Sequence, residues 1–179
     1  GSGMVRLDRD SRLLWTWQGG TYNDVRLGPD GRIYTLTKRL RPDGPDGQPR
    51  LEDFVVVLSP EGRVEREVSL LEAVLASPLA ATVAASADAR DVLHSNTVRP
   101  LDGSLAGVQP LWTAGRVLVS MRHLDLLGIL DLDRGDLVWA RQGAWRRQHE
   151  PAPLPDGRLV VFDNQGGGDN RDNQGGGDN

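Results

Sequence analysis

Asp24-Val-Arg-Leu-Gly-Pro-Asp-Gly-Arg-Ile-Tyr34 recurs as Glu150-Pro-Ala-Pro-Leu-Pro-Asp-Gly-Arg-Leu-Val160. Each copy reads as a strand, a tight turn and a second strand, because Gly supplies positive φ and Asp closes the turn with its side chain. His94-Ser-Asn-Thr-Val-Arg-Pro-Leu101, followed after an insertion by Gly115-Arg-Val-Leu-Val119, is a third copy. The same signal stands at Pro60-Glu-Gly62 before Arg63-Val-Glu-Arg-Glu-Val68 and at Asp133-Arg-Gly135 before Asp136-Leu-Val-Trp-Ala140. Short apolar runs bounded by such turns are strands of antiparallel sheets.

Two copies continue into third and fourth strands: Asp53-Phe-Val-Val-Val-Leu58 with Val64 to Val68, and Leu127-Gly-Ile-Leu-Asp131 with Leu137 to Ala140. Four antiparallel strands repeating at roughly 40–60 residues is the pattern of a propeller blade. Arg12-Leu-Leu-Trp-Thr-Trp17 resembles Asp136-Leu-Val-Trp-Ala-Arg141 and reads as the outer strand of a preceding blade. The predicted fold is all-β: a β-propeller fragment of about two full four-stranded antiparallel blades plus partial blades. Strands are expected at 24–28, 32–38, 53–58, 63–68, 95–99, 116–122, 126–131, 136–141 and 158–162. Incomplete sheets at both ends expose unpaired edges, so self-association to complete the propeller is expected.

Residues 69–89 break the pattern. Leu70-Leu-Glu-Ala-Val-Leu75 has helical composition, Ser69 can cap it, and Pro78 ends it. This segment reads as a short helical insertion. Gly1 to Met4 read as a tag remnant, 5–165 as the blades, and 166–179 as a Gly/Asn/Asp-rich tail. Asp163-Asn-Gln-Gly-Gly-Gly-Asp-Asn170 repeats as Asp172 to Asn179. Such residues can offer oxygen ligands to Ca²⁺, but the regular ligand spacing and terminal Glu of a calcium loop are missing, and a flexible end is the plainer reading.

The 179 residues suffice for one domain with a real core. The net charge of −4 and the absence of a long basic run argue against nucleic acid as a partner. There is no Cys, so disulfides and thiolate metal sites are excluded. No apolar stretch approaches the roughly 20 residues of a membrane span.

Polar groups gather where strands begin or end: Asp91-Val-Leu-His94-Ser-Asn96, then Ser120-Met-Arg122-His123, then Arg147-Gln-His149-Glu-Pro151. Imidazole, amide and guanidinium at recurring strand ends suggest one polar site for an anion such as a sulfate or phosphate ester. His94 and Asn96, two apart, are expected on one side of a strand. His123 is expected to face away from Arg122 and to be structural. Blander readings stand beside these: a backbone-bonded His94, a structural ion pair at Arg122, a solvated loop His149. The five Trp are better read as packing, Trp15 and Trp139 between blades; stacking of Trp112 and Trp145 on an aryl substrate is the secondary reading.

At these residues the chain resembles the arylsulfate sulfotransferase family of six-bladed propellers. The pieces are Asp91-Val-Leu-His94-Ser-Asn96, Val117-Leu-Val-Ser-Met-Arg122-His123, Leu137-Val-Trp139 with Gly143, Arg147-Gln-His149-Glu-Pro151, Leu154-Pro-Asp-Gly157 and Phe162-Asp-Asn164. The resemblance implies sulfuryl transfer from an aryl sulfate to a phenol, with His149 as nucleophile and His94, Asn96 and Arg122 holding the sulfate oxygens. It implies no metal and no other cofactor, and it alone suggests an exported or periplasmic location. The family carries a further active-site His on an earlier blade, where this chain reads Tyr22-Asn23-Asp24. A non-catalytic ligand- or partner-binding propeller, or an engineered assembly fragment, is the alternative.

Overall fold

The computed structural model describes residues 2–42, 48–86 and 88–164. The tandem tail beyond Asn164 lies outside the described residues. Twelve strands occur in the order β1 (Met4–Leu7), β2 (Leu13–Trp17), β3 (Thr21–Leu27), β4 (Ile33–Arg41), β5 (Arg50–Leu58), β6 (Val64–Ser69), β7 (Ser95–Pro100), β8 (Arg116–Met121), β9 (Leu126–Asp131), β10 (Asp136–Gln142), β11 (His149–Pro153) and β12 (Leu159–Phe162). Between β6 and β7 lie helices α1 (Leu70–Leu75) and α2 (Ala80–Ala84). Among the described residues no helix is long and apolar enough to cross a membrane.

The sheets follow the repeat. β3-β4-β5-β6 and β7-β8-β9-β10 are four-stranded antiparallel blades, flanked by the pairs β1-β2 and β11-β12. Every predicted strand is present. The predicted turn glycines Gly31, Gly62, Gly135 and Gly157 all take positive φ, between 75° and 86°. That conformation is open to Gly without a Cβ clash, so these turns were legible. Ser69 caps α1, its Oγ accepting from the Glu72 amide at 3.1 Å.

Alternating strand positions bury one face between neighbouring sheets. Leu36, Val55 and Val57 of the first blade meet Val117, Val119, Met121 and Leu130 of the second, with Leu70, Leu71 and Val74 of α1 closing the same cluster. The helical insertion is therefore part of the core between blades. Trp15 and Trp17 of β2 pack on Ile33, Val56 and Leu58. On the other side Leu118, Ile129 and Trp112 pack with Trp139 and Leu159. Trp112 is 4% exposed and belongs to this core, as the packing reading of the tryptophans expects.

Inner strands β3, β7 and β11 lie side by side at the narrow edge and are tied across blades by side chains. Asp24 Oδ2 accepts from Val98 N at 2.9 Å, and Asn23 Nδ2 donates to the Ser95 carbonyl at 3.0 Å. Asn96 Nδ2 donates to the Gln148 carbonyl at 2.8 Å, and Glu150 N donates to Thr97 Oγ1 at 3.1 Å. These ties fix the relative rotation of the blades where the polar residues gather.

Candidate functional site

Each inner strand enters its blade through a residue with positive φ: Asn23 at 58°, His94 at 45° and Glu150 at 50°. Non-glycine residues in this region carry strain, and such strain gathers where a backbone re-aims side chains. Register breaks accompany it between Tyr22 and Val25, between Ser95 and Thr97, and between His149 and Ala152. The left-handed turn at His94 breaks the period-two alternation. His94 and Asn96 therefore do not share a face as expected. His94 reaches toward the first blade and Arg122, whereas the Asn96 amide, 6% exposed, grips the Gln148 carbonyl.

His94 is the hub. Its Nδ1 lies 2.6 Å from Asp91 Oδ2, three residues back in the same loop. A carboxylate accepts, so Nδ1 carries the proton and Nε2 keeps its lone pair. Nε2 then accepts from the Tyr22 hydroxyl at 3.0 Å and faces Arg122 Nη1 at 3.4 Å. Burial pushes the His94 imidazole below its ordinary value against the pull of Asp91, and Lys38 and His123 push the same way. The shift favours the neutral ring, whose Nε2 lone pair is engaged by the Tyr22 hydroxyl.

Lys38 and Asp53 complete the electrostatics. Lys38 Nζ lies 2.6 Å from Asp91 Oδ1 and 3.5 Å from Asp53 Oδ1, and 4.0 Å above the Tyr22 ring. Burial opposes ionisation of Asp91, but Lys38 and His94 hold its carboxyl below the usual carboxylate range. Burial pushes the Asp53 carboxyl up; Lys38 and the Ser95 amide, 2.7 Å from Oδ2, counter it. Burial disfavours the Lys38 ammonium, yet Asp53 and Asp91 hold it above its ordinary value.

Arg122 does not end a strand. β8 stops at Met121 and a short 3₁₀ turn, Arg122–Leu124, follows, ending at Asp125 with φ 47°. The turn brings Arg122 and His123 to the same neighbour, correcting the expectation that they diverge. The His123 ring stacks on His94 with centroids 4.4 Å apart, and its Nδ1 donates to the Asp91 carbonyl at 2.7 Å. Arg122 Nε is buried with no hydrogen-bond partner among the described residues. A buried, unpaired N–H of a cation is costly unless an acceptor meets it.

The segment 143–149 is bolted to the second blade. Gln148, fully buried, donates through Nε2 to Ser120 Oγ at 3.2 Å and to the Leu126 carbonyl at 3.1 Å. Trp145 Nε1 donates to the Asp125 carbonyl at 2.9 Å, and Arg147 N donates to Asp125 Oδ1 at 2.8 Å. Arg147 is held at φ 49°. His149 is half-buried, with Nδ1 3.0 Å from the Arg147 carbonyl and 2.9 Å from the Asn164 amide nitrogen. The carbonyl calls for a proton on Nδ1 and the Asn164 NH2 for a lone pair there, so the two contacts favour opposite tautomers. Among the described residues no hydrogen bond or ring contact links His149 to His94 or Arg122; the two groups are joined through Asn96, Gln148 and Ser120.

A pocket of about 710 Å³ opens beside this cluster, lined by Arg90, Arg122, Arg146 and Arg147 together with His123, Asp88 and Asp125. Asp91, His94 and His123 place one ligand atom each within 4.8 Å of one another, close enough to hold a metal ion. Lys38, paired with Asp91 and Asp53, and Arg122 also face that cluster.

Sequence reasoning expected His94, Asn96, Arg122 and His149 to converge; the structure sets Arg122 Nη1 3.4 Å from His94 Nε2, while Asn96 grips the Gln148 carbonyl and His149 meets the Arg147 carbonyl and Asn164. Sequence reasoning missed Tyr22, Lys38, Asp53 and Gln148. The register offers one signal for Tyr22: it pairs with Leu36, the fourth residue of β4, as His149 pairs with Phe162, the fourth residue of β12. Tyr22 thus holds the place on its blade that His149 holds on its own.

The sequence profile of a family described as arylsulfotransferase (ASST) matches residues 42–178. No curated protein and no solved structure gave a match.

Proposed function

The chain belongs to the arylsulfotransferase family, and from that premise we propose that it transfers a sulfuryl group from an aryl sulfate to a phenolic acceptor through a sulfo-His149 intermediate. The observation that carries the reading is the pairing of Arg122, its Nε buried and unpartnered, with the Nε2 face of a neutral, Asp91-held His94 beside an arginine-lined pocket. Fixed donors around developing negative charge are the strongest aid to such a transfer.

In this mechanism His149 Nε2 attacks sulfur, the S–O(aryl) bond breaks, and the phenolate leaves with a proton from solvent or a neighbouring donor. The acceptor phenol then attacks the sulfo-imidazole, the S–N bond breaks, and the phenolic proton passes to a base, a role this scheme gives to His94 Nε2 in exchange for its Tyr22 hydrogen bond. Arg122 neutralises the sulfuryl oxygens. Asn96, through the Gln148 carbonyl, positions the backbone that carries His149. No metal or other cofactor takes part in this scheme.

The test is phenol release from a chromogenic aryl sulfate with and without a phenolic acceptor. His149→Ala should abolish transfer, and Arg122→Ala should lower it by about 10²–10³. Release unchanged by His149→Ala removes His149 from the mechanism. Anion binding without turnover supports the alternative, a ligand-binding propeller.

The reading also includes self-association. Val5, Leu7, Leu13 and Leu14 at one end and Val160 and Phe162 at the other are 49–62% exposed. The contact this self-association would use is pairing of the free edges of β1 and β12 with another copy. Light scattering that finds only monomer refutes this assembly.

A further inference from the structure

One sulfate ester carries one negative charge, and Arg122 beside His94 is placed to meet it. The adjoining pocket holds more cation than that. Four guanidinium groups, Arg90, Arg122, Arg146 and Arg147, face two carboxylates, Asp88 and Asp125, across one opening of about 710 Å³. Asp125 pairs with Arg146 at 3.6 Å, and its other oxygen accepts from Arg147 N. Asp88 is engaged by the Arg90 and Asp91 backbone amides at 3.1 and 2.9 Å and approaches His123 Nδ1 at 3.7 Å. Among the described residues no carboxylate pairs with the guanidinium of Arg90, Arg122 or Arg147.

This excess is built, not incidental to a loose surface. Arg147 is held with φ 49°, a conformation that disfavours a long side chain, and it stays there because Asp125, itself at φ 47°, receives its amide while buried Gln148 locks the next residue. Asp163 Oδ1 receives the Arg146 amide at 2.9 Å from the far strand pair. Strain maintained by several hydrogen bonds at a pocket mouth marks a geometry the fold sustains for a ligand. Guanidinium groups are suited to carboxylate and sulfate oxygens, which they meet with two parallel N–H bonds.

We propose that the substrate of this pocket is a dianion: an aryl sulfate bearing a second anionic group, carboxylate or sulfate, which Arg146 and Arg147 bind with help from Arg90 while Arg122 takes the sulfate that reacts. The proposal rests on the sulfotransferase reading for which group reacts, but not for whether the dianion binds. Arg146 and Arg147 act here as specificity residues outside the bond-breaking step.

Binding of non-reactive probes tests it independently of turnover. Benzenesulfonate, 4-sulfobenzoate and benzene-1,4-disulfonate are titrated against the full chain, read by calorimetry, at roughly 20 and 200 mM salt. Both dianions should bind at least about tenfold tighter than benzenesulfonate at low salt, and the advantage should narrow as salt screens it. Whichever of the two dianions binds tighter identifies the second group as carboxylate or sulfate. Arg147→Asn, which tolerates positive φ, combined with Arg146→Gln should remove the dianion advantage and leave benzenesulfonate affinity within about twofold. Arg90→Ala is a second variant outside the strained loop and should give a smaller loss of the same kind. Equal affinity of mono- and dianions for the wild-type chain, or equal weakening of both by the loop variant, overturns the proposal. Tight dianion binding without aryl sulfate turnover sustains it while refuting the sulfotransferase reading.

Discussion

Replacing Lys38 by Met keeps the aliphatic stem and removes the charge between two buried carboxylates. Lys38 Nζ sits 2.6 Å from Asp91 and 3.5 Å from Asp53, with side-chain exposures of 9% for Lys38, 16% for Asp91 and 2% for Asp53. Without the ammonium, Asp53 keeps only the Ser95 amide and faces a second carboxylate. Removing one partner of a buried pair costs about 3–5 kcal/mol. Asp91 retains His94 and some solvent, so the lower end, about 3 kcal/mol, is expected at neutral pH. The pH dependence has a definite sign. Burial already raises the Asp53 carboxyl, and losing Lys38 raises it further. The folded variant then binds more protons than the unfolded chain between the ordinary Asp value and the raised one, so it loses stability as pH rises through that window. The deficit relative to wild type is therefore largest at pH 7–8 and shrinks on acidification. Asp53→Asn in the Lys38→Met background should recover much of the loss. Urea unfolding followed by tryptophan fluorescence at pH 7.5 and pH 5 provides the measurement. A deficit below about 1 kcal/mol at pH 7.5, or one that does not shrink at pH 5, would refute the burial argument.

Three further outcomes are expected. Tyr22→Phe leaves the ring under Lys38 but removes the donor to His94 Nε2; it should cost about 1 kcal/mol in urea unfolding and move the His94 NMR titration upward, because the hydroxyl favours the neutral ring. Gly62→Ala meets both a φ of 81° and the Trp15 ring, 2.7 Å from the new Cβ; it should lower stability by about 1–3 kcal/mol in a thermal melt, and a neutral result would mean that β2 does not pack on the first blade as described. The third concerns pH and His94, whose folded imidazole lies below its unfolded value. Its contribution to stability is present above the unfolded value near 6.5 and is lost as pH falls through the folded one. An NMR titration of the His94 ring centred at or above 6.5 would refute the burial argument.

What the sequence determined here was local or periodic. Gly31, Gly62, Gly135 and Gly157 announced their turns because positive φ is a property of one residue. Ser69 announced α1 because its side chain needs a partner only three residues on. Val55 to Leu58 and Val117 to Val119 announced buried strands because the run itself is apolar. The motif residues His94, Arg122 and His149 were likewise visible as strand-end polar groups. The tertiary structure alone decided how they meet. Tyr22, 72 residues from His94, reaches it because a register break in β3 turns its side chain inward at the edge where the blades converge. Lys38, already paired with Asp53 on the neighbouring strand, gains Asp91 only when the loop before the second blade folds over them. His94 and Asn96 part company because one residue at positive φ cancels the alternation that spacing implies. Trp112 is core, as its packing reading expected, but which sheet covers its loop was set by the neighbouring strands alone. Periodicity reports which residues face a sheet's neighbour. It carries no information on the angle between blades or on where a strand breaks register, and those two quantities set every distance in the site.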